Sequence, residues 1–215
     1  MARDLPVLEQ ILSANDRVAL ENRRLLDRCG VQALNVMAAP GAGKTSLILA
    51  TIAALRGRLR VGVIEGDVAG RVDADRIAAT GTPAVQINTG GGCHLDALQV
   101  QTALERLPLD QIDLLFVENV GNLICPTGFD LGEHRKVLIA HLPEGDDKPI
   151  KYPGMFTAVD ALVLNKTDLA PYVDFDLTAF QTAFRALNPR APLFQVSCKA
   201  GTGIDAWVAW LQARP

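Results

Sequence analysis

The sequence lacks several features that mark particular functional classes. It contains no run of about 18 apolar residues, so no transmembrane helix is expected. Its first ten residues, MARDLPVLEQ, do not show the basic and then apolar layout of a secretory signal peptide. No basic tract occurs and the net charge is −3, so nucleic acid is not an expected partner. These absences favour a cytoplasmic protein that acts on neither nucleic acid nor membranes.

Cysteine is also scarce. The four cysteines, at positions 29, 93, 125 and 198, are too few and too widely spaced for a disulfide scaffold in a chain of 215 residues. A reduced protein is therefore expected. By themselves, Cys29 and Cys198 are interpreted as small apolar residues, and His134 and His141 as surface or loop histidines.

Apolar runs alternate with stretches of helical periodicity along the chain. Residues 7–29 form an amphipathic pattern, which predicts a helix in region 1–30 that packs on the outside of a single domain at 31–215. The triple glycine at 90–92 is predicted to open a helix of about fifteen residues, and 143–154 to be an irregular surface loop. Strands are predicted at 33–37, 60–67, 84–88, 112–117, 136–141, 161–165 and 193–196.

This alternation predicts an α/β fold with a mostly parallel sheet covered by helices on both faces. Ligands of such sheets gather at the carboxyl ends of the strands. The polar motifs of this chain all fall at those strand ends or in the loops that follow. Because one of these motifs, AAPGAGKT at 38–45, has the glycines and lysine of a phosphate loop, the sequence predicts a P-loop NTPase.

Residues 38–45 read AAPGAGKT and form the candidate phosphate loop. In such a loop, backbone N–H groups point at the β- and γ-phosphates, Lys44 reaches their oxygens, and Thr45 offers its hydroxyl to Mg²⁺. Ala38 stands where the general pattern has glycine, which is tolerable if its φ is negative. The predicted contacts come from Pro40, Gly41, Ala42, Gly43, Lys44, Thr45 and Ser46.

Residues 165–168 read NKTD and are interpreted as the reader of guanine. The Asp168 carboxylate can accept hydrogen bonds from guanine N1–H and N2–H₂, whereas adenine presents an acceptor at N1 and has no N2 amine. Asn165 and Lys166 would hold the loop and cover the base. A second base-contacting loop is predicted at Ser197, Cys198, Lys199 and Ala200, where the Ala200 N–H could reach guanine O6.

Acidic residues near the phosphate loop are candidates for the magnesium site. Glu118 ends an apolar strand, where an unpaired carboxylate is costly and a hydrated Mg²⁺ would remove the cost. Asp67 and Asp73 are candidates for the same ion or for the attacking water. No glutamine or arginine is placed to activate that water, so slow hydrolysis of GTP to GDP is expected.

A thiol and an imidazole stand side by side at Cys93 and His94. The predicted helix start would lower the pKa of Cys93 and favour the thiolate. Cys125, in the loop after the Glu118 strand, can approach from a neighbouring loop. Two thiolates and one imidazole suit Zn²⁺ or Ni²⁺ and leave one position open. Spacing alone leaves open that these cysteines are inert packing residues.

Three segments resemble the hydrogenase nickel-incorporation GTPases of the HypB family: Ala39–Thr45, Gly92–Asp96 and the string ENVGNLICP at 118–126. The resemblance implies a P-loop GTPase of the dimerising class that includes signal-recognition-particle GTPases. It implies that Cys93, His94 and Cys125 bind Zn²⁺ or Ni²⁺ at a GTP-dependent homodimer interface. It also implies that Thr45 and Glu118 lie near Mg²⁺ and that Asp67 and Asp73 lie in the responsive loop.

The expected partners are a small zinc- and nickel-binding maturation protein and the hydrogenase large-subunit precursor. Some family members carry a cysteine-rich amino-terminal motif or a histidine-rich stretch. Neither occurs in this sequence, so no nickel storage role is expected.

Three other functions remain as alternatives. A urease-accessory nickel GTPase would carry a Cys-Pro-His motif, which is absent from this sequence. A GTP-gated interaction module would hold its metal as a structural ion and would unfold when the metal is removed. A small-molecule kinase could use the same phosphate loop, but Asp168 disfavours it.

Overall fold

The computed structural model describes residues 7–68, 70 and 72–213, with side chains from residue 12 onward. Its seven strands form one parallel sheet in the order β3-β2-β4-β1-β5-β6-β7. The predicted strands are confirmed, each within two residues. The strands are β1 (Gln32–Ala38), β2 (Val61–Asp67), β3 (Ala84–Asn88), β4 (Leu114–Glu118), β5 (Arg135–His141), β6 (Ala161–Asn165) and β7 (Leu193–Gln195).

Helices cover both faces of the sheet, as predicted. Strand side chains alternate between the faces, so Leu34 and Val36 of β1 enter one core while Ala33 and Met37 enter cores on the other side. The helices are α1 (Val7–Cys29), α2 (Lys44–Leu55), α3 (Val72–Ala78), α4 (Ala97–Leu104), α5 (Lys148–Lys151), α6 (Pro153–Thr157), α7 (Leu177–Leu187) and α8 (Ile204–Gln212).

Helices α2 and α8 share the first face. The Trp207 indole of α8 is fully buried and donates a hydrogen bond to Thr51 Oγ1 of α2 at 2.9 Å. Because α2 starts within the candidate phosphate loop, this packing fixes the helix that follows the loop.

Helix α1 lies on the opposite face and is fastened by buried amide side chains. Asn22 donates to the carbonyls of Ala97 (2.8 Å) and Leu131 (3.0 Å). Asn15 donates to Asp130 O and accepts from Ala97 N. The helix thereby holds together the start of α4 and the loop before β5.

Two predicted elements were wrong. The triple glycine does not open a helix: residues 90–95 form turns, and α4 begins at Ala97 and is only 8 residues long. Asp96 caps it, accepting from Gln99 N while the Gln99 side chain accepts from Asp96 N.

The segment 143–154 is not simply an irregular loop. It contains α5 and the start of α6, and Pro149 is buried. Proline is favourable in the first turn of a helix, where no N–H partner is required, and both short helices have proline there. Within the described residues, no helix is both long enough and apolar enough to cross a membrane.

Candidate functional site

The phosphate loop begins at the last residue of β1 and ends at the second residue of α2. Gly41 and Gly43 have positive φ values of 73° and 98°, which glycine adopts without strain. A side chain at Gly43 would also collide with the Asn165 amide. Ala38 is buried as the last residue of β1 and does not have a positive φ, so its methyl group is accommodated.

The guanine-reading loop is bonded to the phosphate loop. Asn165 Nδ2 donates to Ala42 O at 3.0 Å, and Lys166 Nζ donates to Gly41 O at 2.8 Å. Lys166 adopts the left-handed conformation, with φ of 61°. These contacts hold the two predicted nucleotide motifs in one fixed arrangement.

Asp168 is held by the loop after β7. Its Oδ1 accepts from Ser197 Oγ at 2.6 Å. The Ala200 N–H, expected to reach the base, donates to Ser197 Oγ at 3.0 Å in this structure. Cys198 is partly buried beside Asn165, and burial raises its pKa to about 11, so its thiol is neutral.

These loops border an open cleft of about 590 Å³. Leu49 and Ala50 of α2 contribute an apolar wall, and Asp168 and Lys199 are among the polar lining residues. A cleft with one carboxylate and an apolar wall next to a phosphate loop has the chemistry of a purine nucleotide site.

The candidate magnesium residues gather in a smaller pocket of about 230 Å³, lined in part by Lys44, Asp67, Asp73 and Glu118. Thr45 Oγ1 donates to Glu118 Oε1 at 2.9 Å. Glu118 is only 3% exposed, and its Oε2 has no hydrogen-bond partner among the described residues. A hydroxyl next to a buried, unsatisfied carboxylate fits a hydrated Mg²⁺.

Cys93, His94 and Cys125 come together as the sequence predicted: their ligand atoms all lie within 4.8 Å of one another. Cys93 Sγ lies 3.4 Å from His94 Nδ1. The His94 ring packs on Phe129, with ring centroids 4.0 Å apart. Two sulfur ligands and one nitrogen ligand form a donor set for a soft or borderline transition metal.

The expected lowering of the Cys93 pKa was wrong. A hydrogen bond with Cys125 is the largest cause of a raised pKa at Cys93, and burial adds to it. The helix that would have lowered it begins only at Ala97, and Asp96 occupies its amino end. Burial lowers the pKa of His94, which keeps the imidazole neutral and available as a ligand.

Comparison with known proteins identifies the family. Residues 32–195 match the family described as "CobW/HypB/UreG, nucleotide-binding domain". The hydrogenase maturation factor HypB of Azotobacter vinelandii is 51% identical over 211 residues, which cover 98% of this chain and 70% of that protein. The chain belongs to the HypB family of hydrogenase maturation factors.

Solved HypB structures have the same fold. The Archaeoglobus fulgidus HypB structure superposes with a TM-score of 0.88 at 39% identity, covering 94% of this chain and 98% of that one. HypB from Helicobacter pylori, solved in complex with nickel, gives a TM-score of 0.88 at 36% identity, covering 92% and 93%. This HypB-family chain is a GTPase of the P-loop class.

Sequence reasoning missed one acidic residue of this HypB-family site. Glu65 lies two residues before Asp67 on β2 and lines the same pocket. It is 3% exposed, and burial, followed by the negative charge of Glu118, raises its pKa to about 8. Because side chains alternate along a strand, Glu65 lies on the same face of β2 as Asp67, and this could have been predicted from the sequence.

A buried amide links the two halves of the HypB site. Asn119 follows Glu118 directly, and its Oδ1 accepts from Leu95 N at 3.0 Å. Its Nδ2 donates to Asn35 Oδ1 at 3.2 Å. Leu95, which follows His94, is therefore hydrogen-bonded to Asn119, which follows Glu118.

Of the remaining histidines, His134 lies in the loop just before β5, as predicted, whereas the interpretation of His141 as a surface or loop residue was wrong. His134 Nδ1 accepts from Ala33 N at 3.0 Å, and its Nε2 lies 2.9 Å from Asp27. His141 ends β5, with a side chain 12% exposed and a buried Nδ1 without a partner among the described residues. Cys29, interpreted as a small apolar residue, is exposed.

Proposed function

We propose that this protein is a GTP-hydrolysing metallochaperone that binds Ni²⁺ or Zn²⁺ and assists nickel insertion into [NiFe]-hydrogenase. One observation carries the proposal: Cys125, whose ligand atom lies within 4.8 Å of those of Cys93 and His94, follows β4, the strand that ends in Glu118. One metal ligand and one residue of the nucleotide pocket therefore share a short segment of chain, while Cys93 and His94 come from the loop after β3.

The metal cluster has the character of a transfer site. Cys93 is exposed, and His94 and Cys125 are only partly buried. Three protein ligands leave one coordination position for a water, a second chain or the metal's recipient. An exposed and incomplete site suits a metal that must leave, whereas structural zinc sites are usually closed by four ligands.

In the nucleotide half, the proposed ligand is GTP or GDP with Mg²⁺. Thr45, Asp67 and Glu118 would hold the ion and its waters, which supplies positive charge opposite the β- and γ-phosphates. Lys44 is proposed to bind the phosphates, and Asp67 and Asp73 to orient the attacking water. Asp73 is partly exposed and forms an ion pair with Arg76 at 3.0 Å.

GTP-promoted dimerisation is part of the proposal. Ile124, adjacent to Cys125, is 68% exposed, and Val72, at the start of α3, is 73% exposed. Exposed apolar side chains beside both halves of the site support a surface that a second copy covers. The nickel-bound HypB of Helicobacter pylori and the family membership support nickel as cargo.

The proposed partners are a small zinc- and nickel-binding maturation protein and the hydrogenase large-subunit precursor. The proposed location of the protein is the cytoplasm. Helix α1 is proposed to be an arm packed on the GTPase domain that spans 31–215.

Metal titration in two nucleotide states tests this function. Wild type should bind one Ni²⁺ or Zn²⁺ per chain, with an affinity that differs at least fivefold between GDP and a non-hydrolysable GTP analogue. Coupling is reciprocal, so metal must change the affinity for the nucleotide by the same factor. Oligomeric state is measured on the same samples by light scattering.

The variants Cys93→Ala and Cys125→Ala should lose the site, because each removes one of three ligands. Cys29→Ala is the matched control, since Cys29 is an exposed cysteine outside the cluster. Equal metal affinity in both nucleotide states, or full binding by Cys93→Ala, would refute the metallochaperone assignment. Loss of the fold when the metal is chelated would favour the interaction module with a structural metal.

A further inference from the structure

Glu65 and Glu118 lie side by side on neighbouring strands. In the β2–β4 ladder, Glu65 is the direct partner of Glu118. Both residues are 3% exposed, and in both the Oε2 atom is buried without a hydrogen-bond partner among the described residues. The sheet therefore contains a pair of adjacent buried carboxyl groups, each unsatisfied.

Such a pair needs a compensating group. Burying an unpaired carboxyl costs several kcal/mol by order of magnitude, and a second carboxyl alongside increases the cost. The other positions of β2 show what the strand alone would prefer, because Val61, Val63 and Ile64 are apolar and buried. Packing gives no reason for a glutamate at position 65.

The pocket that Glu65 and Glu118 line is where a group that compensates the buried carboxyls could bind. Glu65, Asp67 and Glu118 line it together with Lys44. Thr45 reaches Glu118 with its hydroxyl, but Glu65 lies on the next strand, farther from the phosphate loop. Glu65 is thus placed behind the residues that would contact an ion directly.

We propose that Glu65 is a positioning residue of the magnesium site, accepting hydrogen bonds from the waters that surround the ion. The inference rests on the proposed GTPase site and extends it by a residue that neither the phosphate loop nor the guanine loop contains. Mg²⁺ keeps several waters in protein sites, and carboxylates that accept from those waters orient the inner ligands. The Oε2 atoms of Glu65 and Glu118 are the acceptors that such waters would satisfy.

The experiment measures Mg²⁺ affinity without relying on turnover. Release of a fluorescent GDP is followed while Mg²⁺ is titrated into wild type, Glu65→Gln and Glu65→Leu. Glu65→Gln should need about tenfold more Mg²⁺ to slow GDP release, which is the size expected when an outer-shell partner is lost. GDP affinity in excess EDTA should stay within about twofold of wild type, because Glu65 does not contact the phosphates in this assignment.

Glu65→Leu separates this role from a structural one. Replacing a buried, unpaired carboxyl with an apolar side chain should raise the melting temperature of the magnesium-free protein while weakening Mg²⁺ binding. Glu133→Gln is the matched control: Glu133 is also a buried carboxyl, but its Oε2 accepts from Leu131 N. Its Mg²⁺ requirement should equal that of wild type.

The outcomes also distinguish this inference from the function on which it rests. If Mg²⁺ slows GDP release from wild type and Glu65→Gln responds at the same concentration, the role of Glu65 is refuted and the GTPase site stands. If wild type binds GDP with no Mg²⁺ dependence, the magnesium site itself is wrong and the role of Glu65 is refuted with it.

Discussion

Asp168 is the residue on which we expect the choice between GTP and ATP to depend. Its Oδ1 is already bonded to Ser197, which aims the carboxylate at the cleft. Adenine has a lone pair at N1 and no amine at C2, so the carboxylate would lose both hydrogen bonds that guanine offers. Each hydrogen bond to a charged group is worth about 1.5–3 kcal/mol. Two such bonds give a preference for GTP over ATP of several kcal/mol.

The variant Asp168→Asn should weaken GTP binding and improve binding of xanthosine triphosphate, whose extra carbonyl replaces the guanine amine. Competition against a fluorescent GDP measures all three nucleotides. Ser197→Ala is a useful comparison, because it removes the support of Asp168 but keeps the charge. If ATP competed with wild type as well as GTP does, the guanine assignment would be wrong.

At the residue scale, the sequence identified candidate residues that belong to motifs and missed Glu65, which lines the same pocket as Lys44 and Glu118. Lys44, Asp168 and Cys93 belong to motifs whose spacing is local. Glu65 belongs to no motif, and its meaning depends on Glu118, which the β2–β4 register brings alongside. The direction of the Cys93 pKa shift was also predicted wrongly because it depends on non-local structure. It is set by where α4 starts and by a contact with Cys125.

At the element scale, the contact between α1 and the loop before β5 leaves no room for a side chain at Gly132. Gly132 has φ of 92°, and a Cβ there would lie 2.6 Å from both Ala19 O and Asn22 Cβ. Gly132→Ala should lower the free energy of unfolding by about 3 kcal/mol, combining overpacking with left-handed strain. Urea unfolding followed by circular dichroism measures the change.

Gly128→Ala is the control for this prediction, because a Cβ at Gly128 would meet no atom within 4 Å and its φ is not positive. It should be within about 0.5 kcal/mol of wild type. Equal stability of the two variants would mean that α1 does not press on this loop.

Elements with strong periodicity were predictable, and those set by capping or by distant contacts were not. The strands of the sheet follow from their apolar runs. Helix α4 was misplaced because the three glycines were given more weight than Asp96 and Gln99, whose spacing is that of a capping box. The short helices after Pro143 depend on tertiary packing, as the burial of Pro149 shows.

Over the whole molecule, stability should depend on pH through His141. Burial, and then the charges of Lys166 and Lys148, lowers the His141 pKa from 6.5 to about 4. Between those values the unfolded chain takes up a proton that the folded chain excludes, so stability is lost as pH falls from 6.5 towards 4. At pH 5 the loss from this group is about 2 kcal/mol.

Urea unfolding of wild type and His141→Gln at pH 7 and pH 5 isolates this contribution, because the other groups titrate in both proteins. The wild type should lose about 2 kcal/mol more than the variant on acidification. Parallel losses in the two proteins would show that His141 is protonated in the folded state at pH 5.

The fold class of the whole molecule could be read from the sequence, but the strand order could not. Motifs at the ends of apolar runs indicate a parallel sheet, whereas no local sequence feature indicates that β1 lies between β4 and β5. That order follows from how each helix crosses the sheet, which is a property of the assembled domain.

The central place of β1 has a consequence for the order in which the chain becomes native. The strand that ends in the phosphate loop pairs with strands that begin at Leu114 and Arg135, and the loop is bonded to Asn165. A chain growing from its amino end therefore carries an unpaired β1 until more than half of its 215 residues have been made. Sheets built from such distant pairings form slowly, because long loops must close first. The nucleotide site, read first in the sequence, is thus among the last regions to assemble.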